Sequence, residues 1–149
     1  MSLPDLEPTA GQIIGREHQL PVRIYYEDTD FTGVVYHGQY VRFFERGRSD
    51  FLRAAGIDHS ALLEREDPAA FTVVKLSLEF RKPARIDDAL LVRTTYDRAK
   101  GPRLFIAQRI TRGADLICEA EVEAACIDLS GRPRKPPAGL LETLRPLFC

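Results

Sequence analysis

One stretch of this chain keeps a helical period over four turns, and it stands among segments that alternate. Tyr40, Phe44, Gly47, Phe51, Ala54 and Ala55 fall at i, i+4, i+7, i+11, i+14 and i+15, one apolar stripe that Phe43 widens. Arg42, Glu45, Arg46, Ser49, Asp50 and Arg53 occupy the other side, and Gly56 is a stop signal. A strand is expected at about 19–27, before the helix. Four more follow it. In 71–81, Thr72, Val74, Leu76, Leu78 and Phe80 share a face. The others are 89–97, with Leu90, Val92, Thr94 and Tyr96; 103–111, with Leu104, Ile106 and Ile110; and 116–127, with Leu116, Cys118, Ala120, Val122, Ala124 and Cys126 set against Glu119, Glu121 and Glu123. The turns Ala99-Lys100-Gly101-Pro102 and Arg112-Gly113-Ala114-Asp115 are short, which implies antiparallel neighbours. A sheet with one apolar face must bury it, and the long helix carries the matching stripe. The expected class is α+β, with an antiparallel five-stranded sheet wrapped around a long central helix.

The rest of the chain adds little regular structure. Residues 1–17 contain Pro4, Pro8, Gly11 and Gly15 without a period and read as a flexible N-terminal arm. A short helix is expected within 57–66, carrying Ala61, Leu62 and Leu63, and Asp67-Pro68 breaks it. Residues 131–149 read as a Pro-rich connector and a short amphipathic helix with Leu140, Leu141, Leu144 and Leu147. At 149 residues, the whole fits one domain.

Several function classes lose support. A net charge of −1 makes no global case for nucleic acid. No apolar run reaches membrane-span length, and the first residues have neither the basic nor the apolar part of a secretory signal. Cys118, Cys126 and Cys149 form no C-x-x-C pair, and His18, His37 and His59 lack zinc-motif spacing. Cys118 and Cys126 share the parity of the apolar strand face and read as small buried hydrophobes. These features place the protein in the cytoplasm, without a metal or cofactor. Neither a phosphate-binding Gly-rich loop nor a G-x-S-x-G nucleophile turn is present.

Chemistry concentrates where the first strand meets the helix, in Tyr25-Tyr26-Glu27-Asp28-Thr29-Asp30-Phe31-Thr32-Gly33-Val34-Val35-Tyr36-His37-Gly38-Gln39-Tyr40. A carboxylate in a turn just before a helix faces the first-turn N–H groups, which lack intrahelical partners and can hold an oxyanion. Gly33 lets a backbone approach a ligand closely. By themselves Asp28, Thr29 and Asp30 fit a turn and helix cap as well.

This stretch, with Phe44-Glu45-Arg46-Gly47-Arg48 and Phe80-Arg81-Lys82-Pro83-Ala84-Arg85-Ile86-Asp87-Asp88, resembles hotdog-fold acyl-CoA thioesterases of the 4-hydroxybenzoyl-CoA thioesterase family. Within that family it is most similar to the bacterial branch associated with the Tol–Pal cell-envelope system. The likeness covers residues 18–130, the expected thioesterase domain. It implies hydrolysis of acyl-CoA to a carboxylic acid and coenzyme A without a cofactor. It also implies a dimer or tetramer with active sites between subunits, and acyl carrier protein or cell-envelope proteins as further partners. Asp30 matches the catalytic carboxylate, general base or nucleophile; Asp28 is not assigned a catalytic role. His37 matches the position whose backbone N–H polarises the thioester carbonyl, and a histidine stands there in the Tol–Pal branch. Tyr26 matches the tyrosine grouped with them. Gly33, Val34 and Tyr36 are the expected substrate contacts, with Arg81 and Lys82, from the basic group Arg81, Lys82 and Arg85, for the coenzyme A phosphates. Further basic groups lie at Arg98, Lys100 and Arg103 and at Arg132, Arg134 and Lys135. The rival readings are a non-catalytic acyl-CoA or acyl-carrier-protein binding module of the same fold, and a hydratase or dehydratase.

Overall fold

The computed structural model describes residues 6–8 and 10–149. The six strands are β1 (Gln12–Ile14), β2 (Glu17–Arg23), β3 (Ala70–Phe80), β4 (Ala89–Lys100), β5 (Arg103–Arg112) and β6 (Asp115–Ile127). The helices are α1 (His37–Ala54), α2 (His59–Leu63) and α3 (Ala138–Leu144). All strand pairs are antiparallel, in the order β1-β2-β4-β5-β6-β3. The sheet wraps around α1, the hotdog arrangement that the resemblance implies.

The sheet has six strands rather than five because it begins inside the stretch read as an arm. Gln12–Ile14 pairs with Glu17–Arg23 across a turn in which Gly15 takes φ +67°, a conformation glycine adopts without steric cost. The hairpin is held to α1 by Asp50, whose carboxylate accepts from the Gly11 amide (2.7 Å) and meets Nε2 of the fully buried His18 (2.8 Å). Residues 1–5 and 9 lie outside the described residues. The strand expected at 19–27 also ends earlier. The buried Asp28 carboxylate accepts the Tyr25 amide (2.8 Å) and bends Tyr26–Asp28 into a single 3-10 turn.

Helix α1 starts at His37, three residues before the apolar stripe, and ends as expected. Gly56 takes φ +89° while Ile57 donates to the Leu52 carbonyl (2.8 Å). Tyr40, Phe43, Phe44, Gly47, Phe51 and Leu52 are buried, whereas Ala54, counted in the stripe, is exposed. The helix packs mainly on β2 and β4, and Gly47 sets how closely. A Cβ there would lie 2.9 Å from both Thr94 Oγ1 and Val92 Cγ1. Buried Gln108 ties the layers together by donating to the Phe44 carbonyl (2.8 Å) and to Thr94 Oγ1 (2.9 Å). α1 is less generous to β3. That strand carries a bulge between Val73 and Lys75, which shifts side-chain parity by one residue. Phe71 and Val73, rather than Thr72 and Val74, therefore share a face with Leu76, Leu78 and Phe80, opposite Cys118, Ala120, Val122, Ala124 and Cys126 of β6.

Two other readings need smaller adjustment. The hairpin turns contract to Gly101-Pro102 and Gly113-Ala114, because Lys100 pairs with Arg103 and Arg112 with Asp115. The C-terminal helix is Ala138–Leu144, with Leu140 and Leu144 buried. Cys118 and Cys126 are buried, and burial pushes the Cys118 thiol up to about 12, an unreactive thiol at neutral pH.

Candidate active site at the start of the long helix

The segment between β2 and α1 is a tight loop rather than a simple turn. Thr29 bridges Val35, the Asp30 amide donates to the Val34 carbonyl (2.9 Å), and the Gly33 amide donates back to the Asp30 carbonyl (3.0 Å). Gly33 closes it at φ +85°. The loop is anchored to the chain between β3 and β4: Val34 bridges Arg85, and the Val35 amide donates to the Ala84 carbonyl (2.8 Å). That second segment is clamped by Asp88. Its carboxylate accepts from the Arg85 amide and from Arg112, both at 2.9 Å. Arg112 also donates to the Pro83 carbonyl (3.1 Å).

Asp30 is exposed on this loop, and Oδ1 accepts from both the hydroxyl and the amide of Thr32. These two donors, with a smaller contribution from nearby His37, hold its carboxyl below the usual carboxylate range. It is ionised at neutral pH.

His37 is the first residue of α1. Tyr36 precedes it in extended geometry (φ −63°, ψ 134°) and offers the helix no side-chain cap. The Gln39 amide turns back to the Tyr36 carbonyl (2.9 Å), but among the described residues the amides of His37 and Gly38 donate to no protein acceptor. Two free donors at a helix N-terminus beside an ionised carboxylate is the feature the sequence pointed to. The His37 imidazole lies against the Tyr36 ring, centroids 4.4 Å apart, and edge-on to Phe80 at 6.4 Å. The Tyr36 ring lies so close over Gly38 that a Cβ there would meet it at 2.6 Å.

Not all the expected residues converge. Tyr26 is 83 % exposed on the 3-10 turn, and its hydroxyl bonds to none of the described residues. Arg81 is drawn to the outer sheet face by Glu79 and Glu119, and Lys82 pairs with Asp115 at 2.9 Å. Arg85, beside Val34, is the cation of that group in no ion pair among the described residues. The basic groups farther along are partly spent as well: Arg98 stacks on Phe105, Arg103 pairs with Glu123, and Arg134 with Asp67. No group of potential metal ligands occurs among the described residues. None of the described helices is long and apolar enough to cross a membrane.

One polar cluster escaped the sequence reading. Arg48 on α1 donates to Gln108 Oε1 (3.0 Å) from a partly buried position, and burial lowers its pKa. The available signal was Gln108 itself, a polar residue at the buried parity of β5 between Ile106 and Ile110.

Comparison with known proteins identifies the family. Residues 25–144 match the family model described as the thioesterase-like superfamily. The acyl-CoA thioesterase YbgC of Haemophilus influenzae is 43% identical over 109 residues, covering 73% of this chain and 79% of that protein. The acyl-CoA thioester hydrolase YbgC of Escherichia coli O157:H7 is 42% identical over 123 residues, covering 81% and 90%. A probable thioesterase from Bartonella henselae superposes with a TM-score of 0.78 at 41% identity, covering 81% of this chain and 99% of that one. The 1,4-dihydroxy-2-naphthoyl-CoA thioesterase Slr0204 from Synechocystis gives 0.77 at 26% identity, covering 85% and 93%.

Proposed function

This chain belongs to the thioesterase-like superfamily, and we propose that it hydrolyses acyl-CoA thioesters to a carboxylic acid and coenzyme A at the loop that carries Asp30 and His37. The observation that carries the assignment to this loop is the pairing of an ionised carboxylate with an uncapped helix start on one rigid turn. The amides of His37 and Gly38 donate to the thioester oxygen as it becomes an oxyanion, and the helix dipole adds to the attraction.

Asp30 supplies the attack. In one route it takes a proton from water while the water oxygen adds to the carbonyl carbon. The tetrahedral intermediate then collapses and expels the coenzyme A thiolate. In the other, an Asp30 oxygen adds to the carbonyl carbon, the thiolate leaves, and water hydrolyses the resulting mixed anhydride. Both routes use the ionised carboxylate, which the two donors from Thr32 favour. Tyr36, Val34 and Gly33 line the approach to the thioester. Tyr26, exposed on the 3-10 turn that leads into this loop, is free to meet a bound substrate or a second copy. Of the expected phosphate-binding cations, Arg85 is better placed than Arg81 and Lys82, which are committed to carboxylates.

The working unit is a dimer paired across β3. This strand leaves eleven residues of open edge, and its inner face is half uncovered, with Val73 44 % and Phe80 53 % exposed. A second copy supplies both the missing strand and the missing cover. The test is release of free thiol from acyl-CoAs of graded length by the wild type and by Asp30→Asn. Asparagine still accepts from Thr32, so the loop keeps its shape, and turnover should fall at least ~10²-fold. Near-normal turnover in a folded Asp30→Asn protein would falsify the mechanism.

A further inference from the structure

The cavity beside Arg48 has a composition that the chemistry at Asp30 and His37 does not use. It has a volume of about 250 Å³, and its walls are mixed: Leu52, Phe71, Val73 and Ile106 supply apolar surface, Ser49 and His59 polar surface. Into these walls the sheet and helix place one cation. Arg48 meets a single neutral acceptor, Gln108, and belongs to no ion pair among the described residues. Glu45, one turn earlier on α1, lines the same cavity but stands outside ion-pairing distance. A guanidinium has five N–H donors in a planar fork suited to a carboxylate. Gln108 takes one of them.

Within one protomer this cavity is remote from the reacting loop. Arg48 is eleven residues beyond His37 on α1, roughly 16 Å along the axis. Pairing across β3 changes the relation. In a two-fold antiparallel pair, opposed residue numbers keep a constant sum, so full overlap of 70–80 sets Phe80 against the Ala70–Phe71 end of the other copy. Phe80 stands beside His37, and Phe71 and Val73 line the cavity. The His37–Phe80 corner of one copy thus comes beside the Phe71 end of the other, whose Phe71 and Val73 line the Arg48 cavity, with the two strands one spacing (~4.8 Å) apart.

We propose that this cavity receives the far end of the acyl group bound at the second copy's Asp30–His37 loop, and that Arg48 selects short acyl groups ending in a carboxylate. The inference rests on the thioesterase reading and on pairing across β3. The volume falls short of the ~300–1,000 Å³ of drug-sized pockets, which suits a short chain. A methyl end would leave the half-buried guanidinium with Gln108 as its one partner, whereas a carboxylate completes its fork with charge-assisted hydrogen bonds.

The test compares glutaryl-CoA with pentanoyl-CoA, equal in length and differing in the terminal group, each corrected for enzyme-free hydrolysis. The wild type should show a kcat/KM ratio favouring glutaryl-CoA at least ~10-fold, and Arg48→Met should lower that ratio by a similar factor. Arg48→Lys keeps the charge without the fork and should fall between. It also stands in if the methionine protein does not fold. Binding of both thioesters to wild type and variant is measured by calorimetry in parallel. A ratio near one in the wild type, or one unmoved by either Arg48 variant, overturns the proposal. If neither thioester is hydrolysed, the thioesterase reading fails. Tighter binding of glutaryl-CoA that depends on Arg48 then still upholds the subsite, and its absence sinks both.

Discussion

Replacing His37 by proline isolates one hydrogen-bond donor. Proline at the first position of a helix loses an N–H that has no intrahelical partner anyway, and its fixed φ suits that position. The structure removes the usual objections. The His37 amide donates to no acceptor among the described residues, and Tyr36 already sits at ψ 134°, the extended geometry that a following proline demands. The fold should therefore lose little, and circular dichroism should show an unchanged helix content and a Tm close to that of the wild type. Catalysis should lose what one oxyanion donor provides, ~2.7–4 kcal/mol of barrier, or ~10²–10³-fold in kcat. His37→Ala is the control, because it removes the imidazole and its stacking on Tyr36 but keeps the N–H. The alanine protein should show a smaller loss, measured as thiol release at saturating acyl-CoA. A folded His37→Pro enzyme within about threefold of the wild-type kcat would refute the assignment of the donor. The Gly38 amide, the other free donor of the turn, would then take the role.

Three further outcomes follow from the same geometry. Thr32→Val removes the hydroxyl that does most to depress Asp30, so the Asp30 pKa should rise toward the ordinary 3.8. Because the ionised form is the active one, the acid limb of kcat/KM should move to higher pH, and an unmoved limb would disconnect Thr32 from the reaction. Any stability that Asp30 contributes is present above its unfolded pKa and fades as pH falls through the lower folded one. Gly47→Ala should destabilise by ~1–3 kcal/mol, seen in chemical denaturation, since the new methyl would lie 2.9 Å from Thr94 Oγ1 and Val92 Cγ1. Val74→Lys places a charge at the bulge of the open edge and should shift sedimentation toward the 16.8 kDa protomer with loss of turnover. An intact dimer in that variant would move the interface elsewhere.

The sequence exposed the layers but not where they bend. Period alone located α1 and the four later strands, since each carries its own alternation or stripe. The bulge at Val73 and Lys75 left no trace, because apolar residues continue on both parities through Phe71-Thr72-Val73-Val74. Parity was therefore carried straight across it. Gln12–Ile14 was hidden by its neighbours. A three-residue strand has no measurable period, and only its pairing with β2 and the Asp50 anchor, 39 residues from Gly11, define it. For the site, residue types gave a carboxylate before a helix start, and the resemblance selected Asp30 over Asp28. The structure separates the two, since Asp28 is buried and accepts the Tyr25 amide while Asp30 is exposed and accepts from Thr32. Partners distant in sequence were invisible. Arg48 with Gln108, 60 residues apart, and Arg81 with Glu119, 38 apart, are products of register.

The strand order has a kinetic consequence. β4, β5 and β6 are joined by two-residue turns and can zip together as a meander early. β2 and β3 must each find their places from far along the chain, β3 against a strand 35 or more residues ahead. The late arrival β3 is also the open edge of the finished sheet. A chain that has collapsed but not yet seated β3 displays the unpaired edge of β6 in addition to that of β3. Refolding should therefore show a slow phase that shortens as protein concentration rises through the range where dimers form. Above that range the same edges favour aggregation, and crowded expression should cost more yield than the stability of the native state would suggest.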